Sequence, residues 1–157
     1  MMTSLIFAAV LSAAATANPC DLATKYDVEV VLGGTAVDVP PSEIGEETAP
    51  FCLWATAGRA VEIKLEIWSK DEAAVLELPD TASYFNKLHS QAVASGRVTP
   101  LAGVGERAFA ADLYPKASGK ADGTIVVLKA GRVLVFDFKD VVSRDAQTFA
   151  AAVVARF

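Results

Sequence analysis

The sequence predicts an α+β fold: a single-domain α/β/α sandwich in which a mainly antiparallel sheet is covered by helices. Three observations predict it. Val61 to Trp68 alternates, with Val61, Ile63, Leu65 and Ile67 on one side and Glu62, Lys64 and Glu66 on the other, the period of a strand with one buried face. Thr124 to Leu128 and Val133 to Phe138 are β-rich runs joined by the turn Lys129-Ala130-Gly131-Arg132, the pattern of a hairpin. Tyr84, Phe85, Leu88, Ala92 and Val93, and later Ala146, Phe149, Ala150, Val153 and Phe157, recur at helical spacing, so amphipathic helices are available to lie across a sheet.

Taken in order, the chain begins Met1-Met2-Thr3-Ser4, followed by an uncharged apolar run from Leu5 to Ala15 and the small triplet Ala15-Thr16-Ala17. This is the layout of a secretory signal peptide cleaved near Ala17. The apolar run is well short of the roughly 18 residues a membrane-crossing helix needs. Residues 18–157 are then the mature domain, and the expected location is secreted or periplasmic. Cys20 lies where a lipidated cysteine would sit, but Ala17-Asn18-Pro19 is a poor processing box. That leaves Cys20 free to pair with Cys52, the only other cysteine, in an oxidising compartment. Such a bridge closes a loop of about thirty residues, worth roughly 3 to 4 kcal/mol by the chain-entropy argument. The alternative is two unpaired thiols.

Thr24 to Leu32 opens on a Thr-x-x-Asp pattern and stops at Gly33-Gly34, helix start and stop signals, with Leu22, Tyr26, Val30 and Val31 expected on its inner face. The acidic stretch from Pro40-Pro41 to Pro50 reads as a loop. Phe51 to Thr56 reads as a strand with Cys52 and Trp54 on one side, so the bridge would fasten the first helix segment to the sheet. Asp80 or Thr81 caps a second helix that Gly96 ends. Val98 to Leu101 and Arg107 to Leu113 are short strands around the turn Gly103-Val104-Gly105, and a polar loop from Pro115 to Gly123 precedes the hairpin. Ser143 is placed to cap the last helix, with Asp145 in its first turn.

The chain has 157 residues, 53% hydrophobic and 21% charged, with a net charge of −5. That suits one packed core. An acidic chain with no basic stripe excludes nucleic acid as a partner.

Several short pieces together resemble a known family: the exported leader, Pro19-Cys20-Asp21-Leu22 before a helix ending Leu32-Gly33-Gly34, Cys52-Leu53-Trp54 in a strand, Val104-Gly105-Glu106-Arg107-Ala108 before a strand, and a late hairpin turning at Gly131. The family is one of small exported bacterial envelope proteins of unknown function, many of them lipoproteins, similar to the PsbP-type α/β/α sandwich. The resemblance implies a fold and an envelope location rather than a reaction.

Few residues fall in a pattern that carries chemistry. His89 is the only histidine, which rules out a histidine-pair metal site. It borders the apolar stripe of the second helix, and neither Ser83 nor Ser90 lies in a nucleophile-elbow motif. Gly33-Gly34-Thr35 and Gly103-Val104-Gly105 lack the spacing of a phosphate loop. Asp38, Glu43, Glu46 and Glu47 lack that of a calcium loop. Candidate contacts are the aromatics Trp54, Trp68 and Tyr84 and the loop lysines Lys116 and Lys120. Strict alternation sets Trp68 on the polar face with Glu62, Lys64 and Glu66, as an exposed contact for a partner or glycan unless a helix covers that face. The expected function is a non-enzymatic envelope domain, monomeric or weakly oligomeric, binding an unknown protein partner or small ligand without a cofactor. The alternative is a small secreted hydrolase-like enzyme with His89 as base.

Overall fold

A computed structural model describes residues 18–157. The leader assigned to residues 1–17 lies outside the described residues. Strands β1 (Phe51–Ala55), β2 (Glu62–Trp68), β3 (Val98–Pro100), β4 (Arg107–Ala111), β5 (Ala121–Lys129) and β6 (Arg132–Val141) form one sheet of order β1-β2-β6-β5-β4-β3. Every neighbouring pair is antiparallel. Helices α1 (Lys25–Leu32) and α4 (Ser143–Arg156) are joined by α2 (Lys70–Val75) and α3 (Thr81–Ser95), which completes the α+β sandwich.

Strand periodicity decides which helix covers which face. On the first face, Ile63, Leu65 and Ile67 of β2, Leu134, Phe136 and Phe138 of β6 and Ile125 and Val127 of β5 pack with α1 and α4 through Val28, Val31, Ala146, Phe149, Ala150 and Val153. On the second, Trp68, Val133, Val135, Val126, Leu128 and Phe109 lie under α2 and α3 through Ala73, Tyr84, Phe85 and Ala92. Both faces are therefore apolar where a helix sits.

Local signals set the ends of these helices. Thr24 accepts from the Asp27 amide at 3.1 Å while the Asp27 carboxylate accepts from the Thr24 amide at 3.2 Å, a capping box. Gly33 closes α1 with φ +66°, the left-handed conformation that glycine adopts freely. Asp80 caps α3 through the Ser83 amide at 2.7 Å, and Gly96 ends it. Cys20 and Cys52 form a disulfide with Cα atoms 5.1 Å apart, which ties the 3-10 turn Pro19–Leu22 to β1.

Several expectations need correcting. The inner face of α1 is Val28, Val31 and Leu32, whereas Tyr26 is 76% and Val30 45% exposed; the helix meets α4 rather than the sheet alone, and that rotates its buried stripe. Val93 of α3 is 55% exposed, because it follows the buried Ala92 and so lies about 100° round the helix from it, off the buried stripe. Ser143 does not cap α4. The cap position is Val142, and the Ser143 hydroxyl instead donates to the Leu113 carbonyl at 2.9 Å. Helix α2 was not foreseen because its apolar stripe is only one turn long, although Ser69 and Glu72 form a capping box at its start.

Gly123 sits at an irregularity in the β5–β6 register. A Cβ there would stand 2.6 Å from the Ala111 carbonyl oxygen and 2.7 Å from the Leu113 nitrogen, so only glycine lets β4 turn away at that point.

Candidate functional site: a charged cleft on the half-covered sheet face

The second face of the sheet is covered over only part of its length. Register places Trp68 opposite Val133 and Glu66 opposite Val135, the rows beneath α2 and α3, and then Lys64 opposite Asp137 and Glu62 opposite Lys139. These last two rows replace apolar residues with charged ones. Together with the segment Glu43–Glu47 and Arg59 they line a cleft of 280 Å³.

The polar network runs from the core outward. The buried indole of Trp68 donates to Glu66 at 2.8 Å. Glu66, itself 7% exposed, pairs with Lys64 at 2.7 Å, and Lys64 reaches Glu47 at 3.2 Å and Asp137 at 3.8 Å. Thr124 of β5 donates to Asp137 at 2.8 Å. Burial works against the Lys64 ammonium, but its bond to Glu66 and the charges of Glu66 and Asp137 outweigh that and hold its pKa above the ordinary value. Asp137 shows the opposite balance. Burial, with help from the neighbouring Glu66 charge, pushes its carboxyl above the usual range even though Thr124 and Lys64 favour the ionised form.

Arg59 closes the other end. Its guanidinium holds Glu62 in a two-point contact at 2.8 and 3.1 Å and donates to the Glu43 carbonyl at 3.0 Å. This fork geometry is one that arginine supplies and lysine does not. Arg59 has φ +56° and follows Gly58 at φ +70°, so the tight turn between β1 and β2 holds a non-glycine residue in the left-handed region. Such strain costs on the order of 1–3 kcal/mol and tends to collect at functional sites. Lys139 completes the cleft, 3.6 Å from Glu62 and donating to the Arg59 carbonyl at 2.8 Å.

Along the lining, four carboxylates (Glu43, Glu47, Glu62, Asp137) meet three cations (Arg59, Lys64, Lys139). Glu66 adds a fifth negative charge behind Lys64. The cleft is therefore acidic in balance, with every cation already engaged by an oxygen of the chain.

The aromatic residues do not form a ligand groove. Trp68 is 7% exposed and lies against Tyr84 with ring centroids 4.3 Å apart, because α2 and α3 cover that end of the polar face; its expected role as an exposed contact is overturned. Tyr84 is buried beside it, and burial together with the Glu66 and Asp137 charges raises its pKa. Trp54 pairs with Ile63 and so belongs to the opposite face, edge-on to Phe149 at 5.9 Å. The two tryptophans are separated by the sheet.

Lys116 and Lys120 meet in one turn, with the Lys116 amide donating to the Lys120 carbonyl at 2.8 Å. The Lys116 ammonium pairs with Asp122, and that bond keeps the Asp122 carboxyl below its ordinary range. His89 stands edge-on to Phe109 at 5.1 Å. Among the described residues no hydrogen bond joins it to a serine or a carboxylate, and no group of three or more His, Cys, Asp or Glu side chains is placed to hold a metal ion. Asp38, Glu43, Glu46 and Glu47 do not converge on one.

Sequence reasoning missed Arg59, Lys64, Asp137 and Lys139 as a site. The charges at 62, 64 and 66 were visible, but the cleft arises from the β2–β6 register and from where α2 and α3 stop. A comparison with protein-family models, with curated proteins and with solved structures finds no match to this chain.

Proposed function

We propose that this chain is an exported, non-enzymatic envelope domain that binds a small cationic ligand in the Glu62–Lys64–Asp137 cleft. The observation that carries the reading is the cleft's charge balance: its three cations are held by internal partners, while its carboxylates outnumber them and Asp137 keeps a half-exposed carboxylate open to the cleft. A ligand bearing an amine would relieve that imbalance, since a cation beside a carboxylate favours ionisation. Export is supported by the apolar leader and by the Cys20–Cys52 bridge, the kind of bond that persists in oxidising compartments. Among the described residues no helix is long and apolar enough to cross a membrane. The similarity to the PsbP-type sandwich belongs to this proposal as well.

The test is a titration of the purified protein with 1,4-diaminobutane, followed by backbone amide NMR. Saturable shifts confined to residues 43–47, 59–64 and 137–139 are expected. Shifts scattered over the surface, or none, would contradict the reading. Esterase turnover that disappears in His89→Ala would favour the hydrolase alternative instead.

A further inference from the structure

A second pocket lies beside α3 on the β3–β4 side of the sheet and shares no lining residue with the charged cleft. It has a volume of 250 Å³, apolar walls that include Phe85, Phe109, Pro100 and Leu101, and two polar side chains, His89 and Arg107. We propose that it binds a small monocarboxylate with a short apolar tail, the guanidinium of Arg107 taking the carboxylate.

Arg107 is held on two sides. Its guanidinium lies over the Phe85 ring, 4.6 Å from the centroid, and donates through one nitrogen to the Asn86 side-chain oxygen at 3.0 Å. Those two contacts fix its plane. Among the described residues no carboxylate comes within ion-pairing distance of it. The remaining N–H groups form a held, unused fork of the shape that a carboxylate accepts. Arg107, although exposed, is oriented by an aromatic ring and a neutral amide, not by an opposing charge.

His89 adds to the fit. Its ring is fixed edge-on against Phe109 at an interplanar angle of 77°, and among the described residues neither imidazole nitrogen is used in a hydrogen bond. Phe85 and Phe109, in edge contact at 5.3 Å and almost fully buried, support the two polar groups from beneath, and the exposed Pro100 and half-buried Leu101 supply the apolar surface a ligand can reach. Charge beside the accessible Pro100 and Leu101 surface selects for an anion that carries a hydrocarbon part. Small-molecule sites combine a mostly apolar lining with a few placed polar groups in this way.

The test uses the purified protein and hexanoate, with hexylamine and inorganic phosphate as controls, read by amide and arginine side-chain NMR. Saturable shifts at Phe85, His89, Leu101 and Arg107 are expected with hexanoate alone. Arg107→Gln should weaken binding about tenfold or more, the loss of a charged hydrogen bond. Asn86→Asp, a change at an exposed helix position, supplies an internal carboxylate to the same guanidinium and should weaken hexanoate to a similar degree while the fold is kept. Unchanged hexanoate affinity in Asn86→Asp, equal shifts with hexylamine or phosphate, or no saturable shift in the natural protein would each overturn the proposal.

Discussion

Asp137 carries the sharpest consequence at the scale of single residues. Burial raises its pKa above the ordinary 3.8, so the folded state holds that proton more tightly than the unfolded chain does. The stability it contributes is fully present below pH 3.8 and is lost as pH rises through the raised folded value. Asp137→Asn keeps an oxygen for the Thr124 hydroxyl and removes the charge. The variant is expected to melt at a higher temperature than the natural protein at pH 7, with the difference shrinking as the pH is lowered toward 3; a variant less stable at pH 7 would contradict this sign. Glu66 is a buried carboxylate that accepts from the Trp68 indole and pairs with the Lys64 ammonium. Glu66→Leu leaves the buried Trp68 indole without its acceptor, while Lys64 keeps Glu47, and should cost about 1–3 kcal/mol, measured by urea unfolding. Little of this could be read from the sequence. Alternation put Glu66 and Trp68 on one face, but the residues that decide whether that face is wet lie on helices following the strand.

Elements whose signals are local were legible, and those whose role depends on distant partners were not. The Thr24–Asp27 box, the Asp80 cap, the Gly33 and Gly96 stops and the hairpin at Gly131 are each written within a few residues and appear where expected. Ser143 carries an equally good local signal, yet Leu113, thirty residues away in sequence, takes its hydroxyl. The length of β5 was also hidden. Ala121 to Gly123 looks like loop composition, and it is in the sheet because β6 continues to Val141 beside it. Gly123 is the element-scale test. Adding a methyl group at a site 2.6 Å from a backbone oxygen forces strand and neighbour apart, and Gly123→Ala should lose about 1–3 kcal/mol of stability, the usual cost of overpacking. An alanine variant as stable as the natural protein would show that the close approach of β4 and β5 is not required.

Across the whole molecule, the sheet is fully covered on one face and half covered on the other. The arrangement follows from helix placement: α1 and α4 cross-brace through Arg156, which reaches Asp27 at 2.6 Å and the Leu22 carbonyl at 3.2 Å, while α2 and α3 cover only the Trp68 end. The disulfide anchors the same N-terminal turn to β1, the strand that supplies Leu53 to the cleft. Replacing both cysteines, Cys20→Ala with Cys52→Ala, should cost roughly 3 to 4 kcal/mol of stability. Alkylation of the unreduced protein should add no label.

The measurement that most directly tests a cation site in this uncovered half is calorimetric titration of 1,4-diaminobutane into the natural protein and into Asp137→Asn. Saturable binding by the first, and an affinity about tenfold lower in the second, is the expected result. Equal binding by both proteins, or none by the natural one, would contradict it.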